Sequence, residues 1–548
     1  MIDAVTLAIL NGRLEQIADE MDATLFRSAF NPIIAEAHDA SHGIYDAENG
    51  DTLVQGKSGL PIFVGVMAFA VKAVIEKAIV DGDLVDGDVY IFNDPYEGGT
   101  HLSDFRLVKP FFRNGSVYCY LASVGHWHDV GGNVPGNYNP IATESFQEGM
   151  LIPPVKLFKA GVLQQDIVDI LQANSRLPVS VFGDLNAQIN ALDLGNKRLN
   201  SLLDQYGDDT IKSALSELKE RASKMMRAYI SALPDGETIA EDFLDNDGIV
   251  DEPLKINLRL KIEGDKMLLD FGQSSPQCSG PVNISRSTTI AACYVALKHV
   301  FGDVPANAGV LEPVDFIIKE NSLLAAVAPK PVGGYTETIL RLIDVIFQAV
   351  AKIAPERSNG CAYGTINALS IAGHRENGQR WVMFSFFGGG HGGHPLGDGL
   401  NHGNAPISTA TIPPLEILEA AYPIKFNQWA LRPNSGGDGK FRGGLGATYE
   451  IELLEKSAEA FLFGERGKFS PKGVVGGKEA SKNIFTFEDD DGPTNPKMVS
   501  KIVGVKLKRG QSVRIDTPGG GGYGNPLDRS KQARDYDVQL GYVTEEKP

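Results

Sequence analysis

The sequence NDPYEGGTHLSDF, residues 93–105, separates two runs that are typical of β-strands and places His101 and Asp104 directly after a Gly-Gly pair. Glycine adopts backbone conformations that other residues avoid, so Gly98 and Gly99 predict a tight turn. An imidazole and a carboxylate carried by one turn can face the same point, and both groups bind divalent cations in proteins. The stretch is therefore either a simple turn or part of a binding site.

The residues on either side of this turn predict strands. DVYIFND (88–94), FRLVKPFF (105–112) and SVYCYLASVGHWHD (116–129) are rich in β-branched and aromatic residues. Asn114-Gly115 is a strong signal for a two-residue hairpin between the last two strands. His126 lies at the end of the second hairpin strand, where a third ligand could reach a site formed by the turn.

Outside this region, hydrophobic periodicity predicts a mixed protein. Helical spacing occurs in residues 3–30, 60–80 and 163–233, and again near 286–301 and 338–354, whereas residues 236–273 alternate as strands do. After residue 360 the chain is mainly strand-like and rich in glycine. The expected fold class is α/β (mixed α+β) with several sub-domains. These are an N-terminal α/β region with the candidate metal site (1–160), a helical region (161–235), an α/β region (236–360), a β-rich region (361–527) and a polar tail (528–548).

Composition excludes several classes of function. The net charge of −18 argues against nucleic acid as the main partner, because phosphate binding needs a basic surface. No apolar run reaches 18 residues, and the N-terminus lacks the basic segment and cleavage site of a signal peptide. Four scattered cysteines form no CxxC pair, which favours a reducing cytoplasm. We therefore expect a cytoplasmic protein.

Histidine is concentrated near the opening stretch. Five of the ten histidines precede residue 130, and Asp39 or Asp46 could add an acid to a cluster that forms there. Two histidines with one or two aspartates and an open position would make a hydrolytic or Lewis-acid metal site. Alternatively, H-x-x-D occurs by chance, and histidines two apart on a strand can simply cap a sheet edge. The five histidines are His38, His42, His101, His126 and His128.

Three glycine-rich stretches could cradle an anion through backbone N–H groups. They are FFGGGHGGH (386–394), NSGGDGKFRGGLG (434–446) and TPGGGGYGNP (517–526). None matches a P-loop or a dinucleotide-binding fingerprint, so tight turns and close backbone approach are the favoured interpretation. The chain has no recognisable ATP site and no G-x-S-x-G nucleophile elbow.

Six motifs occur in an order that resembles the hydantoinase B/oxoprolinase family. The resemblance covers about residues 3–527, nearly the whole chain. It extends to subunits of ATP-dependent hydantoinases, 5-oxoprolinases, caprolactamase and acetone or acetophenone carboxylases. The motifs are NDPYEGGTHLSDF, GHWHDVGGNVPG, QEGMLIPPVKL, DFGQSSPQCSGPVN, LRPNSGGDGKFRGGLG and TPGGGGYGNP.

The resemblance implies which residues form the site. The family's metal ligands fall on His101, Asp104 and His126, and the acid of its early E-x-x-D-x-S motif falls on Asp39. A divalent metal is expected, with Zn²⁺ or Mn²⁺ the leading candidates and Co²⁺ also compatible with these ligands. ATP is expected to bind a hydantoinase A-type partner, in an (αβ)₂ or larger heteromer, rather than this chain.

The resemblance also implies candidate catalytic residues. Asp129 or Glu148 could act as a general base or orient a ligand histidine. The family's usual His-His-Ala-Asp is His-Trp-His-Asp at 126–129. The second histidine is therefore at position 128 instead of 127, on the opposite side of the strand from where the family usually has it. His128 is expected to affect the substrate pocket or proton transfer.

The expected function is ATP-dependent opening of a hydantoin, 5-oxoproline or lactam ring, an amidohydrolase reaction on a cyclic amide. The A-type subunit would phosphorylate the substrate, and this subunit would hydrolyse the phosphorylated intermediate. One alternative is a subunit of a ketone carboxylase of the acetone or acetophenone type. Another is a non-catalytic subunit with a structural zinc that caps its partner.

Overall fold

Helices and strands alternate along the chain in this computed structural model, which describes residues 2–82, 84–408, 411–490 and 492–544. The prediction of a mixed α and β fold is confirmed. No helix in the described ranges is long and apolar enough to cross a membrane. The helices are α1 (Ala4–Ser28), α2 (Pro32–Ala35), α3 (Pro61–Asp81), α4 (Gln165–Ala173), α5 (Pro178–Tyr206), α6 (Asp208–Ser231), α7 (Arg286–Val300), α8 (Tyr335–Ile353), α9 (Leu415–Ala421) and α10 (Lys531–Gln539).

The first sheet has seven antiparallel strands in the order β2-β1-β5-β4-β3-β6-β7. Its central hairpin is the predicted one. Asn114 and Gly115 have φ values of 52° and 81°, as a two-residue turn that matches strand twist requires. The strands are β1 (Ala40–Asp46), β2 (Thr52–Gln55), β3 (Val89–Phe92), β4 (Asp104–Arg113), β5 (Ser116–His126), β6 (Val155–Lys159) and β7 (Val162–Leu163).

This sheet is buried on both faces. On β5, Cys119 and Leu121 belong to the hydrophobic cluster that includes α1 and α5, whereas Tyr120 and Ala122 belong to the cluster that includes α3. Successive residues of a strand point to opposite faces, so a sheet covered on both sides needs an almost continuous apolar run. This explains why the strand sequences carry little polar alternation.

The second sheet shares a hydrophobic cluster with the first. Helices α7 and α8 pack between α3 and this sheet, and the cluster runs without interruption through all of them. The strand order is β11-β10-β9-β8, with the β10–β11 pair parallel. The strands are β8 (Gly236–Leu244), β9 (Leu254–Glu263), β10 (Lys266–Asp270) and β11 (Val314–Ile317).

The C-terminal part forms two antiparallel sheets around a third hydrophobic cluster. One has the order β13-β12-β16-β19 and the other β14-β15-β20-β17-β18. Helix α10 lies in the segment 528–548 that composition marks as a polar tail. The strands are β12 (Ala368–His374), β13 (Arg380–Ser385), β14 (Ile424–Leu431), β15 (Ala447–Leu453), β16 (Ser457–Phe463), β17 (Ile484–Asp489), β18 (Gly492–Thr494), β19 (Lys501–Lys508) and β20 (Ser512–Asp516).

The three glycine-rich stretches pack against one another. The backbone N–H of Gly390 donates to the carbonyl of Pro518, and that of Gly520 donates to Gly444. A Cβ at Gly443 would lie 1.7 Å from the carbonyl oxygen of Gly520. Close backbone approach, the favoured interpretation of these stretches, is what the structure shows. The proposed sub-domain boundaries stay predictions.

Two glycines in helices differ in the space around them, so replacing each with alanine should affect stability in opposite directions. A Cβ at Gly12 of α1 would have no atom within 4 Å, whereas a Cβ at Gly65 of α3 would lie 2.9 Å from both Cα and Cβ of Ala291. We expect Gly12→Ala to raise the free energy of unfolding by about 0.5–1 kcal/mol, because alanine loses less backbone entropy in a helix. Gly65→Ala should lower it by about 1–3 kcal/mol, because α3 and α7 must move apart. Urea unfolding of both variants measures the difference, and shifts of the same sign would contradict it.

Candidate metal centre

The pairing of β4 with β5 places Asp104 directly opposite His126. Beyond the strand ends, the backbone N–H of Trp127 donates to the carbonyl of Ser103 at 2.8 Å, which continues the pairing into the turn. His101 lies three residues before Asp104 in that turn, and the N–H of Asp104 donates to its carbonyl at 3.3 Å. The hairpin register therefore brings all three side chains to one end of the sheet.

The turn is held from both sides. The side-chain amide of Asn93 donates to the carbonyls of Leu102 and Met150, and its oxygen accepts from the N–H of Ile152, each at 2.7 Å. Gly98 has a φ of 78°, and a Cβ there would lie 2.4 Å from the backbone of α3. The turn thus rests directly on α3, which only glycine permits at this position.

The Asp104 carboxylate lies between two imidazole rings. Its Oδ2 is 2.8 Å from Nδ1 of His101, and its Oδ1 is 3.2 Å from Nδ1 of His126. All three residues are at most 2% exposed. Burial raises the pKa of Asp104, but the two histidines outweigh burial and hold that pKa well below its usual range. Asp104 is therefore a buried carboxylate that stays ionised.

Asp39 adds a second carboxylate at the edge of this group. The N–H of His126 donates to the Asp39 carbonyl at 3.1 Å, and the Oδ2 of Asp39 is 4.0 Å from Nδ1 of His126. Burial raises the pKa of Asp39 to about 7, although the neighbouring His126 opposes the shift. The other acid left open by spacing, Asp46, lies at the far end of β1 and accepts backbone N–H groups of its own turn.

Three of these side chains lie close enough together to share a divalent cation, and Asp39 lies beside His126. The donor atoms of His101, Asp104 and His126 lie within 4.8 Å of one another. Donors that share one ion through bonds of about 2.0–2.2 Å are themselves separated by about 3–3.6 Å. Two carboxylates in a buried space also repel each other, and a divalent cation with two neutral imidazoles would balance their charge. The assignment of these four residues as ligands stays a prediction.

His128 lies two residues beyond the end of β5 and has contacts different from those of His126. It is 5% exposed, and burial lowers its pKa to about 4, although Asp129 and the backbone of Val382 act in the opposite direction. Its Nε2 has no hydrogen-bond partner in the described part of the chain. Trp127 points to the opposite face, where it stacks on Phe105 at 3.9 Å.

The carboxylates of Asp129 and Glu148 already have hydrogen-bond or ion-pair partners outside the His101–Asp104–His126 group. Asp129 forms an ion pair with Arg176 at 3.0 Å and accepts the backbone N–H of Gly131 at 3.2 Å. The two oxygens of Glu148 accept the N–H groups of Val332 and Gly333 at 2.9 and 2.6 Å. Burial raises the pKa of Glu148 to about 8, despite these two bonds. Among the described residues, no hydrogen bond or ion pair joins either acid to the side chains of the His101–Asp104–His126 group, and both acids hold loops in place.

Sequence reasoning missed several side chains that surround this group. The Tyr335 ring lies 4.8 Å from the His101 ring, and Tyr138 lies 5.7 Å from it. Phe384 stacks on His126 at 5.8 Å and on Tyr138 at 5.0 Å. Tyr335 and Phe384 are more than 200 residues distant along the chain, so no local pattern could place them. Gly333-Gly334 before Tyr335 at the start of α8 is the one signal that could have drawn attention to it.

A second buried Asp–His pair lies outside this site. Asp22 of α1 and His42 of β1 are fully buried, and the carboxylate is 2.7 Å from Nδ1 of the imidazole. Burial raises the pKa of Asp22, although His42 opposes the shift. A Cβ at Gly56 would lie 2.1 Å from the Asp22 carboxylate. The pair joins α1 to the first sheet.

Comparison with known proteins shows which proteins this chain resembles over its whole length. The caprolactamase subunit beta of Pseudomonas jessenii is 31% identical over 557 residues, which cover 99% of this chain and 94% of the relative. The crystal structure of ATP-dependent caprolactamase from the same organism contains a chain with a TM-score of 0.89 at 30% identity, and the match covers 99% of this chain and 95% of that one.

Two further proteins resemble this chain at lower identity, and the matches cover less of their own length. The 5-oxoprolinase of Dictyostelium discoideum is 29% identical over 95% of this chain but only 40% of its own length. A nucleotide-free acetone carboxylase structure matches with a TM-score of 0.90 at 21% identity, covering 99% of this chain and 78% of that one, which shows a common fold. The family model described as hydantoinase B/oxoprolinase matches residues 3–526. The chain therefore belongs to the hydantoinase B/oxoprolinase family.

Proposed function

We propose that this chain is the metal-bearing B subunit of an ATP-dependent hydrolase that opens cyclic amides. The observation that carries the proposal is the convergence of His101, Asp104 and His126 at one end of the first sheet, with Asp39 beside His126, in a chain of this family. Membership of the family supports the reaction class, and the donor set supports a divalent cation such as Zn²⁺ or Mn²⁺.

A second subunit is part of this proposal. The caprolactamase relative is named as a beta subunit, and the matched region of the 5-oxoprolinase is less than half of a longer chain. Both relatives support a second polypeptide or region that acts together with this chain, and in this proposal it is an A-type ATPase subunit. A heteromer of the (αβ)₂ type or larger and a cytoplasmic location remain part of the proposal. The four cysteines are buried free thiols.

The chemistry follows from the stability of amides. Resonance makes the carbonyl carbon of a cyclic amide a poor electrophile, and phosphorylation of the amide oxygen by the partner would remove that resonance. Asp39, His101, Asp104 and His126 would hold the divalent ion. A bound divalent ion supplies Lewis acidity and lowers the pKa of water to about 7.

The surrounding residues provide the conditions for attack. The rings of Tyr138, Tyr335 and Phe384 pack on His101 and His126, both of which are buried. The buried Nε2 of His128 has no hydrogen-bond partner among the described residues, and the low pKa of this histidine keeps the imidazole neutral, so in this proposal it contacts the substrate as a hydrogen-bonding group and is not the base. In this proposal Asp129 and Glu148 position the loops that carry His128 and Tyr335.

Carboxylation of a ketone is the competing reaction. The likeness to acetone carboxylase shows the fold alone, because identity is 21%. The match to caprolactamase has higher identity and covers nearly the whole of that chain. Ring opening is therefore the better-supported function.

The reaction class can be decided by product analysis. We expect the complex of this chain with its A-type partner to convert a hydantoin, 5-oxoproline or lactam to the ring-opened acid, with one ATP consumed per ring. Mass spectrometry after incubation with ¹³C-bicarbonate should show no labelled carbon in the product. Labelled product from a ketone substrate would show carboxylation instead.

The role of the site can be tested with matched aspartates. Asp104→Asn should lower turnover of the complex by more than about 100-fold and abolish stoichiometric metal, because an amide replaces a charged ligand. Asp22→Asn changes an equally buried aspartate beside a histidine and should leave metal content unchanged. Turnover and elemental analysis of both variants, after size-exclusion chromatography confirms assembly, make the comparison. Full turnover by Asp104→Asn would indicate a non-catalytic subunit.

A further inference from the structure

Arg106 is a fully buried arginine with an unusual set of contacts. It lies on β4 two residues after Asp104 and therefore on the same face of the strand. Its Nη2 donates a hydrogen bond to Oγ1 of Thr100 at 3.1 Å. Its Nε and Nη1 have no hydrogen-bond partner within the described ranges of the chain. The guanidinium lies 5.9 Å from the centre of the Phe92 ring.

Thr100 connects this guanidinium to the candidate metal ligand. Its Oγ1 also forms a hydrogen bond with Oδ2 of Asp104. A guanidinium can only donate, and a threonine hydroxyl has a single proton. Because the hydroxyl oxygen accepts from Arg106, its proton is directed to Asp104. The same Oδ2 faces Nδ1 of His101.

The opening turn makes room for this arrangement. A Cβ at Gly99 would lie 2.7 Å from both Nη1 and Nη2 of Arg106. Packing alone does not account for the arginine, since burying a guanidinium is costly and an apolar side chain would fill the same space without that cost. The absence of a side chain at Gly99 therefore leaves space for the Arg106 guanidinium, which contacts Thr100, and Thr100 contacts Asp104.

We propose that Arg106 is a positioning residue for the metal site, which acts through the Thr100 hydroxyl to hold the Asp104 carboxylate in its ligating orientation. Groups that hydrogen-bond to metal ligands commonly control ligand orientation and metal affinity. The inference rests on the proposed function, because it requires Asp104 to bind the cation.

Metal affinity of two threonine variants provides the first test. We expect Thr100→Val, which has nearly the same shape without the hydroxyl, to bind Zn²⁺ and Mn²⁺ about 10- to 100-fold more weakly than the unmodified chain. Thr100→Ser keeps the hydroxyl and should remain within about threefold of it. Competition of ZnCl₂ or MnCl₂ against a chromogenic chelator measures both constants without any turnover assay.

A double-mutant comparison tests whether Arg106 acts through Thr100. Arg106→Met should also weaken metal binding, but it should add almost nothing in the Thr100→Val background, because the hydroxyl it orients is already absent. Independent, additive losses would overturn the proposed route. If Arg106→Met does not fold, Arg106→Lys is the second variant. It keeps the charge without the planar fork, and unchanged affinity would count against the proposal.

Controls separate this inference from the proposed function. Circular dichroism and thermal unfolding of the metal-free variants establish that each is folded. If the unmodified chain binds neither ion at one per chain, the proposed metal site and this inference both fail. If it binds one ion and Thr100→Val binds it equally well, only the positioning role of Arg106 and Thr100 fails.

Discussion

The register of one β-hairpin sets up the rest of the candidate site. Asp104 and His126 meet because β4 and β5 are joined by a two-residue turn at Asn114-Gly115 and because the pairing shifts by one residue at an irregularity between Phe111 and Phe112. A slip of one residue would rotate one of the two side chains to the opposite face of the sheet. The core would change with it, because this sheet is covered by helices on both sides. The same apolar burial that stabilises the fold therefore enforces the geometry of the polar site.

Two charged side chains of this site are fully buried. Asp104 and Arg106 have no exposed surface and lie on the same strand, two residues apart. A buried carboxylate is costly unless other groups compensate its charge, and here two imidazoles and a hydroxyl contact it, while a guanidinium donates to that hydroxyl. Such a preorganised arrangement is a common property of sites that must bind an ion without rearranging.

Local patterns in the sequence predicted the helices, the hairpin and the proximity of His101, Asp104 and His126. Spacing could not choose between Asp39 and Asp46, because the choice depends on which end of β1 lies beside His126. It also could not show that Asp129 and Glu148 are bonded to Arg176 and to the backbone at 332–333, since those partners come from distant segments. The residues that were missed, Tyr138, Tyr335 and Phe384, reach the site through tertiary packing alone. Thr100 lies in the turn at residues 93–105 and Arg106 in the strand that follows it, so both were visible in the sequence. Their connection through a hydrogen bond can be seen only in the structure.

The packing of the glycine-rich stretches has a consequence for how this region tolerates mutation. Gly390, Gly443 and Gly520 each have the space of a Cβ filled by the backbone of another stretch. Every alternative residue adds at least a Cβ, so no conservative replacement exists at these positions. These glycines have no part in the proposed chemistry, yet a random missense change at any of them should be as damaging to the protein as the loss of a metal ligand. Much of the genetic vulnerability of the C-terminal half would then reside in residues that have no side chain.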